Sequence, residues 1–303
     1  TTGHVEGQET IFQPAFVGQN RMIAFDGVDD YVDIANTSAT SEFSCSFWAM
    51  MLKDQDNAFL RYGNFFIKYD TDSSEIQIFP DDGASDREYA WTNPVDGQFH
   101  HFIFTTTGTT NKLYIDGSER TLGGSGTAMN TGGDYVQIGR RAGSYFNGFI
   151  NEVAVWNDDL SLTEVQAIYN DGVPLDVSSD SGDYASSGDL IGYWRNNVLT
   201  AAGDWENKVL TSNVITINEG AEYSDSDVTL TVNNGALVSV GDKVVIEDEH
   251  LLITVISTHN LTVVRGYNGT TAVAHDDSTN ISVYYNGTLT GGSTVIFPEG
   301  TTS

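Results

Sequence analysis

The stretch Ile23-Ala24-Phe25-Asp26-Gly27-Val28-Asp29-Asp30-Tyr31-Val32 places two short apolar segments on either side of a turn rich in aspartate and glycine. These two residue types favour tight turns, because the aspartate side chain bonds nearby backbone N–H groups and glycine adopts positive φ angles. Residues 22–25 and 31–34 are therefore predicted to be strands joined by this turn.

The same alternation of short strands and turns continues through the first 210 residues. Further strands are predicted at 43–50, 65–69, 75–79, 101–105, 112–115, 135–138, 151–156 and 190–194. Many short strands separated by turn signals are typical of a sandwich or jelly roll rather than of βαβ units. One helix is expected after Ser161, because Ser161 and Glu164 form a capping-box pattern and Gly172 and Pro174 end the segment.

A change of composition near residue 212 marks a second domain. Val-, Ile- and Thr-rich strands are predicted there at 214–217, 228–232, 244–246, 251–256, 261–264 and 281–285. The predicted fold is all-β: an antiparallel β-sandwich over 1–211, a small β-barrel-like domain over 212–286, and a C-terminal arm over 287–303. The arm is expected to lie on the surface or to be exchanged as a strand with a neighbouring subunit.

Charge and composition exclude several classes of protein. The chain has 303 residues, with 13 Lys and Arg against 42 Asp and Glu, giving a net charge of −29. Nucleic-acid phosphates would be repelled, and no stretch approaches the ~18 apolar residues that a membrane span needs. The N-terminal residues lack the basic and then apolar pattern of a signal peptide. The single cysteine, Cys45, alternates with Phe43 and Phe47 and is predicted to be a buried, inert thiol.

Several segments of the first domain resemble a known family in order and spacing. They resemble the laminin-G-like branch of the concanavalin A-like lectin/glucanase jelly rolls, over residues 20–200. The segments that carry the resemblance are 23–32, Phe99-His100-His101-Phe102 followed by Leu113-Tyr114-Ile115-Asp116-Gly117, Phe149-Ile150-Asn151-Glu152-Val153-Ala154-Val155-Trp156-Asn157, and 190–195. The resemblance implies two packed antiparallel sheets and leaves function open, since the family includes lectins, adhesion modules and glycoside hydrolases.

The carboxylate pattern of the hydrolases in this family is missing. Hydrolysis of a glycosidic bond needs two carboxyl groups ~5 Å apart on the same side of a site. Glu75 and Glu152 each lack a same-face partner, and Glu247-Asp248-Glu249 is expected at a solvated hairpin turn. We therefore expect no enzymatic activity.

Two groups of residues are candidates for ligand binding in the first domain. The resemblance implies calcium at Asp26, Asp29, Asp30 and Glu152, because Ca²⁺ takes six to eight oxygen ligands. The alternative is that Asp26 and Asp30 only cap turns.

Tyr89 and Trp91 are two residues apart and share one face of an extended segment, with Arg87 and Asn93 nearby. They can stack on sugar rings, or they can belong to the core. His100 and His101 point to opposite faces and are assigned no role.

The second domain resembles small β modules of bacteriophage virion proteins. The resemblance covers about 75 residues and rests on Gly241-Asp242-Lys243-Val244-Val245-Ile246, on 251–255, and on Arg265-Gly266-Tyr267-Asn268-Gly269-Thr270-Thr271-Ala272-Val273-Ala274-His275. His275 is predicted to brace the loop by a hydrogen bond, because no nucleophile accompanies it.

These observations predict a non-enzymatic bacteriophage virion surface protein, either a capsid decoration or a fibre component. Its lectin-like domain would be displayed to contact host or environmental glycans, and other virion proteins would be its partners. A homotrimer is preferred by analogy with phage fibres. The alternative is a secreted bacterial glycan-binding or glycan-cleaving protein. Neither nucleic-acid binding nor membrane insertion is expected.

Overall fold

The computed structural model describes residues 22–35, 41–79, 87–92, 94–124, 135–199, 205–285, 288–291 and 294–296. The strands up to residue 207 are β1 (Met22–Asp26), β2 (Tyr31–Ala35), β3 (Phe43–Met51), β4 (Asn57–Tyr62), β5 (Phe65–Asp70), β6 (Glu75–Phe79), β7 (Arg87–Ala90), β8 (His100–Thr106), β9 (Asn111–Ile115), β10 (Ser118–Arg120), β11 (Tyr135–Ile138), β12 (Arg140–Arg141), β13 (Ser144–Tyr145), β14 (Asn147–Trp156), β15 (Leu190–Leu199) and β16 (Trp205–Asn207). The later strands are β17 (Thr211–Thr216), β18 (Thr229–Thr231), β19 (Lys243–Ile246), β20 (Glu249–Ser257), β21 (Asn260–Val264), β22 (Asn280–Tyr284), β23 (Thr288–Thr290) and β24 (Thr294–Ile296).

Two antiparallel sheets form the predicted sandwich. In the first sheet the described strands run β10-β9-β8-β3-β14-β1-β24, with β15 and β16 continuing from the second half of β14. In the second sheet they run β23-β2-β11-β4-β5-β6-β7. The all-β sandwich predicted from the strand pattern is confirmed.

The core between the sheets follows from period-two alternation. Phe43, Cys45 and Phe47 of β3 are buried, and the Phe43 ring lies 5.3 Å from Tyr62 and 5.0 Å from Phe65 of the opposite sheet. Burial raises the pKa of the Cys45 thiol, so the thiolate is disfavoured. Cys45 is thus a core residue, as predicted.

The outer face of the first sheet is covered by the helix α1 (Leu162–Tyr169). Ser161 and Glu164 form the predicted capping box, and Val165 and Ile168 are buried against the sheet. The helix ends at Asn170, which adopts a left-handed conformation. Short 3₁₀ turns occur at Asn170–Gly172, Ser187–Asp189, Gly235–Leu237 and Tyr267–Gly269. Within the described residues, no helix has the length and apolar character of a membrane span.

The second domain is a small six-stranded barrel. Its strands run β17-β22-β19-β20-β21-β18. The two ends of this sheet meet at an Ile217–Val232 bridge, where the Asn218 N–H donates to the Thr231 carbonyl at 2.9 Å. Closure leaves few open edges for pairing with another chain.

The C-terminal segment differs from the prediction of a separate arm. Within one chain, β23 pairs with β2 and β24 pairs with β1, so each sheet of the sandwich gains one strand. A Thr- and Val-containing segment is suited to this pairing, because β1 and β2 would otherwise expose unpaired backbone groups at the sheet edges. The described part of 287–303 therefore belongs to the sandwich, and the barrel lies between two parts of that domain in sequence.

Candidate functional site

The turn after β1 gathers three of the four carboxylates predicted to bind calcium. Oxygens of Asp26, Asp29 and Asp30 all lie within 4.8 Å of one another. Asp26 Oδ1 accepts the Val28 N–H at 2.7 Å, and Asp30 Oδ2 accepts the Asp26 N–H at 2.9 Å. Asp30 is buried, whereas Asp26 and Asp29 are exposed. Asp26 and Asp30 therefore cap the turn, which is one of the two alternatives, and calcium binding by the clustered carboxylates stays a prediction. We call these three residues the acidic loop.

Amide side chains hold the backbone of the acidic loop. Asn147 Nδ2 donates to the Asp26 carbonyl at 2.5 Å, and Gln55 Nε2 lies 3.4 Å from the Gly27 carbonyl. Gly27 has φ +79°, and a Cβ there would lie 2.6 Å from Gln55 Nε2. Only glycine fits this position.

The donors of the acidic loop suit Ca²⁺ in chemistry but not in number. Hard cations prefer oxygen ligands, and the three carboxylates would hold the ion. Ca²⁺ takes six to eight ligands, and the carbonyl oxygens of Asp26 and Gly27 already accept amide groups. Further ligands would have to come from water or from a bound molecule. Glu42, Asp158 and Asp159 form another cluster of the same size, which the sequence did not suggest.

Glu152, the fourth predicted calcium ligand, does not join the acidic loop. It occupies a bulge of β14 with φ 50°, is buried, and accepts hydrogen bonds from Tyr193 Oη and Arg195 Nε. Arg195 also reaches Asp176 at 2.5 Å. Burial raises the pKa of the Glu152 carboxyl, against the opposing pull of Arg195. The prediction for Glu152 is corrected: the bulge turns its side chain toward the layer beneath α1.

Tyr89 and Trp91 lie at the edge of the core. In the register of β6 and β7, Tyr89 pairs with Ile76 and Arg87 pairs with Ile78, and both isoleucines are fully buried. Tyr89 and Arg87 consequently face the inside of the sandwich.

The contacts of Trp91 and Arg87 agree with this placement. The Trp91 ring packs 5.2 Å from Phe102, and an Arg87 terminal nitrogen donates to the Leu122 carbonyl at 3.2 Å. Asn93 lies outside the described residues. The placement favours the core alternative over sugar stacking for this pair.

A different aromatic arrangement lies on the outer face of the second sheet. The Arg140 guanidinium carbon is 4.5 Å from the centre of the Tyr31 ring and 5.7 Å from that of Tyr145. All three side chains are half-buried. Cation–π contacts with two rings restrict a guanidinium group, while its N–H groups can still donate to an acceptor. We call Tyr31, Arg140 and Tyr145 the Arg140 clamp.

The Arg140 clamp adjoins the acidic loop. Tyr31 follows Asp30 directly in the chain, and Gln55 Nε2 lies within hydrogen-bond distance of the Tyr145 carbonyl (3.2 Å) as well as the Gly27 carbonyl. Sequence reasoning missed the clamp. Its one signal was Arg140-Arg141, the only adjacent pair of basic residues in the chain.

The same outer face continues with more guanidinium and aromatic groups. The Arg141 guanidinium carbon lies 4.2 Å from the Phe66 ring, and Phe66 stacks on Phe79 at 4.3 Å. Arg61 is the cross-strand neighbour of Phe66. Arg61, Arg140 and Arg141 therefore lie on one face of a strongly acidic protein, together with Lys68 of β5.

The two adjacent histidines point in opposite directions, as predicted. His100 bridges Asp116 and Asp96, at 2.7 and 2.9 Å. Burial lowers the pKa of His100, but the two carboxylates outweigh it and the net shift is upward.

His101 lies beneath α1, with its Nε2 atom 2.7 Å from Ser46 Oγ, and burial lowers its pKa to about 3. The adjoining cavity of about 10 Å³ has room for roughly one water molecule. This Ser–His pair is closed to a substrate.

The barrel contains a buried carboxylate that the sequence placed in a solvated turn. Glu249 is 1% exposed and forms two hydrogen bonds of 2.7 Å with Arg265. His275 contacts Glu249 through Nε2 and Glu247 through Nδ1, both at 2.9 Å. The loop-bracing role predicted for His275 agrees with these contacts, whereas the solvated turn applies to Glu247 and not to Glu249.

Comparisons with known proteins agree with the fold. A family model described as the concanavalin A-like lectin/glucanases superfamily matches residues 26–166. No curated protein matches the chain in sequence. Among solved structures, a heptameric SAP-like pentraxin from Limulus polyphemus is 14% identical, with a TM-score of 0.42, covering 50% of this chain and 82% of the pentraxin.

Two other solved structures are similar over different shares of the chain. A putative carbohydrate binding protein from Bacteroides ovatus is 13% identical with a TM-score of 0.46, and the match covers 93% of this chain and 60% of that protein. Domains LG4-5 of the mouse laminin alpha1 chain are 11% identical with a TM-score of 0.38, covering 48% of this chain and 43% of theirs. The family model over residues 26–166, together with the two packed antiparallel sheets, identifies the concanavalin A-like sandwich fold.

Proposed function

We propose that this chain is a non-enzymatic glycan-binding protein displayed on the surface of a bacteriophage virion. The observation that carries the glycan-binding part is the outer face of the second sheet, where the half-buried side chains of the Arg140 clamp lie on a lectin-like sandwich. Aromatic rings supply flat apolar area for sugar rings, and guanidinium groups donate hydrogen bonds to sugar oxygens.

The absence of catalysis is proposed from the positions of the carboxylates. Glu75 lies on β6 of the second sheet, whereas Glu152 is buried in the first sheet against Arg195. They belong to opposite layers of the sandwich and do not form a pair ~5 Å apart around one glycosidic bond. Release of reducing sugar from a polysaccharide panel, lost in Glu75→Gln, would contradict this proposal.

The virion part of the proposal rests on the barrel. Residues 241–275 resemble β modules of phage virion proteins, and a net charge of −29 keeps a protein soluble at the high local concentration of a particle surface. Other virion proteins would be its partners, and a homotrimer is the proposed assembly. Co-sedimentation of the protein with intact particles tests this; a protein found only free in the medium would instead favour a secreted bacterial glycan-binding protein.

A pair of variants tests where glycans bind. Wild type, Tyr31→Ala and Tyr89→Ala would be screened on a glycan array, after thermal unfolding shows that each variant is folded. Loss of binding in Tyr31→Ala with retention in Tyr89→Ala supports the outer face. The reverse result would move the site to the edge pair of β7. Absence of glycan binding by the wild type would refute the proposed function.

A further inference from the structure

The Arg140 guanidinium is held in place but has no protein acceptor. The Tyr31 and Tyr145 rings lie 4.5 and 5.7 Å from its central carbon. Across the part of the chain that the structure describes, no carboxylate lies within 4.0 Å of Arg140, and no hydrogen bond from its N–H groups is formed. Other arginines of this chain, such as Arg195 and Arg265, have carboxylate partners. The donors of Arg140 are therefore available to a ligand.

The charges around the clamp are of both signs. Arg141 and Arg61 lie on the same outer face. The carboxylate of Asp33 is exposed on that face, two residues along β2 from Tyr31, and Lys68 is neutralised by Asp70 at 2.5 Å.

The acidic loop lies next to Tyr31. Its Asp26 and Asp29 are exposed, and its Asp30 is buried. The site is thus mixed in charge, with its positive part at the guanidinium groups.

The geometry of the clamp selects the kind of anion. A guanidinium group pairs with a planar or tetrahedral oxyanion through two parallel N–H···O bonds, and this pairing needs a fixed guanidinium plane. The Tyr31 and Tyr145 rings, 4.5 and 5.7 Å from the guanidinium carbon, restrict the movement of this group. Asp33 and Gln137, which are paired across β2 and β11, can bond hydroxyl groups beside it. An acidic sugar combines all of these features.

We propose that the Arg140 clamp binds the carboxylate or sulfate group of an acidic saccharide. This inference rests on the proposed glycan-binding function and specifies its ligand class. A long polyanion would be repelled by the overall charge of −29, whereas a short saccharide meets mainly the charges next to Arg140, since charges beyond ~8 Å are largely screened at physiological ionic strength. The ligand is thus a saccharide with isolated acidic groups.

Isothermal titration calorimetry tests the inference with a defined set of probes. The probes are a uronic-acid oligosaccharide, its carboxyl-reduced neutral counterpart, a sulfated oligosaccharide, and free acetate and sulfate. The proteins are wild type, Arg140→Gln, Arg140→Lys and Lys112→Gln. Lys112→Gln is the matched control, because this variant also loses one positive charge, but on β9 of the other sheet. There Lys112 pairs with Glu119 at 3.7 Å.

The expected result is selective loss at Arg140. Wild type should bind at least one acidic oligosaccharide about tenfold more tightly than the neutral counterpart, and Arg140→Gln should remove about that factor. The affinity of Arg140→Lys for the acidic oligosaccharide should lie between those of the wild type and Arg140→Gln, because lysine keeps the charge but cannot form two parallel N–H···O bonds. Lys112→Gln should match wild type. The uronate and sulfate probes show which group is preferred.

Three results would overturn the inference. If the wild type binds the acidic and neutral probes equally tightly, and Arg140→Gln binds both as the wild type does, the preference for an acidic saccharide is refuted while glycan binding stands. Binding of free acetate or sulfate as tightly as the oligosaccharides would show a simple anion site. A wild type that binds none of the acidic probes but binds neutral glycans on an array would refute the inference alone, and binding of no glycan at all would refute the proposed function as well.

Discussion

Replacing Glu249 by glutamine tests how the barrel is held together. The Glu249 carboxylate accepts two bonds of 2.7 Å from Arg265, the Gly266 N–H at 3.1 Å, the Val273 N–H at 3.2 Å and His275 at 2.9 Å. Glutamine keeps the volume but replaces one acceptor oxygen by an NH₂ group that faces the donors of Arg265. The Arg265 side chain, 7% exposed, then loses its counter-charge.

The expected loss of stability is large. Removing one partner of a buried ion pair costs about 3–5 kcal/mol, because the remaining charge stays buried and uncompensated. For a domain of this size, about 1 kcal/mol corresponds to a change of roughly 4–8 °C in melting temperature. The barrel in Glu249→Gln should therefore unfold at least about 12 °C below the wild type. Differential scanning calorimetry gives the midpoint, and hydrogen exchange of peptides from 211–285 assigns it to the barrel.

Glu247→Gln is the matched control. Glu247 also contacts His275, but it is 64% exposed, so its loss should cost within about 1 kcal/mol. Equal shifts in the two variants would refute the reasoning, because burial would then not decide the effect.

The pH dependence provides an independent check on Glu249. Burial raises the pKa of its carboxyl, but Arg265, His275 and two backbone N–H groups outweigh this and lower the pKa to about 2. Since the folded pKa lies below the unfolded value of ~4.3, the stabilisation is present above that value and is lost as the pH falls toward about 2. The difference between wild type and Glu249→Gln should shrink over this range. A constant difference would contradict the assignment.

Three further predictions concern the sandwich. Burial lowers the pKa of His100, but Asp96 and Asp116 outweigh it and raise the pKa, so the stabilisation is present below pH ~6.5 and is lost as the pH rises through the folded pKa. In His100→Gln the melting temperature should therefore change less between pH 6 and 9 than in the wild type, and NMR titration of the wild-type ring should show the raised pKa. Millimolar calcium should raise the melting temperature of the wild type more than that of Asp26→Ala, whereas equal shifts, or none, would count against a metal at the acidic loop. Deleting 287–303 removes β23 and β24, so the sandwich should melt at a lower temperature, and light scattering should show a lower mass if the segment also links subunits; an unchanged midpoint would contradict the pairing.

Much of the fold could be predicted because its signals are local. The alternation of Phe43, Cys45 and Phe47 predicted a strand over 43–50, and β3 spans Phe43–Met51. The capping box at Ser161 fixed the start of α1. Turn residues and period-two alternation act between neighbours in the chain, so they can be read without knowing the partners of each strand.

The candidate sites depend on partners that the sequence does not place together. Tyr31 and Arg140 meet because β2 and β11 pair and the β12–β13 hairpin follows β11. Glu152 was assigned to the wrong layer because a bulge in β14 changes the direction of its side chain. Glu249 was assigned to solvent because its burial depends on Arg265, which follows the end of β21 and is distant from Glu249 in sequence. Each of these errors concerns orientation and partner, not the type of local structure.

The C-terminal strands connect the two candidate sites to the far end of the chain. β24 pairs with β1 before the acidic loop, and β23 pairs with β2 after it. Between them, Gly291 has φ +82° and lies so close to the loop that a Cβ there would be 2.6 Å from the Asp29 carbonyl oxygen and 2.7 Å from Asp30 Oδ1. The acidic loop and Tyr31 are therefore shaped by residues that follow the barrel in sequence. Because the chain must leave and rejoin the sandwich, both connections to the barrel constrain where the barrel lies relative to the face that carries the Arg140 clamp.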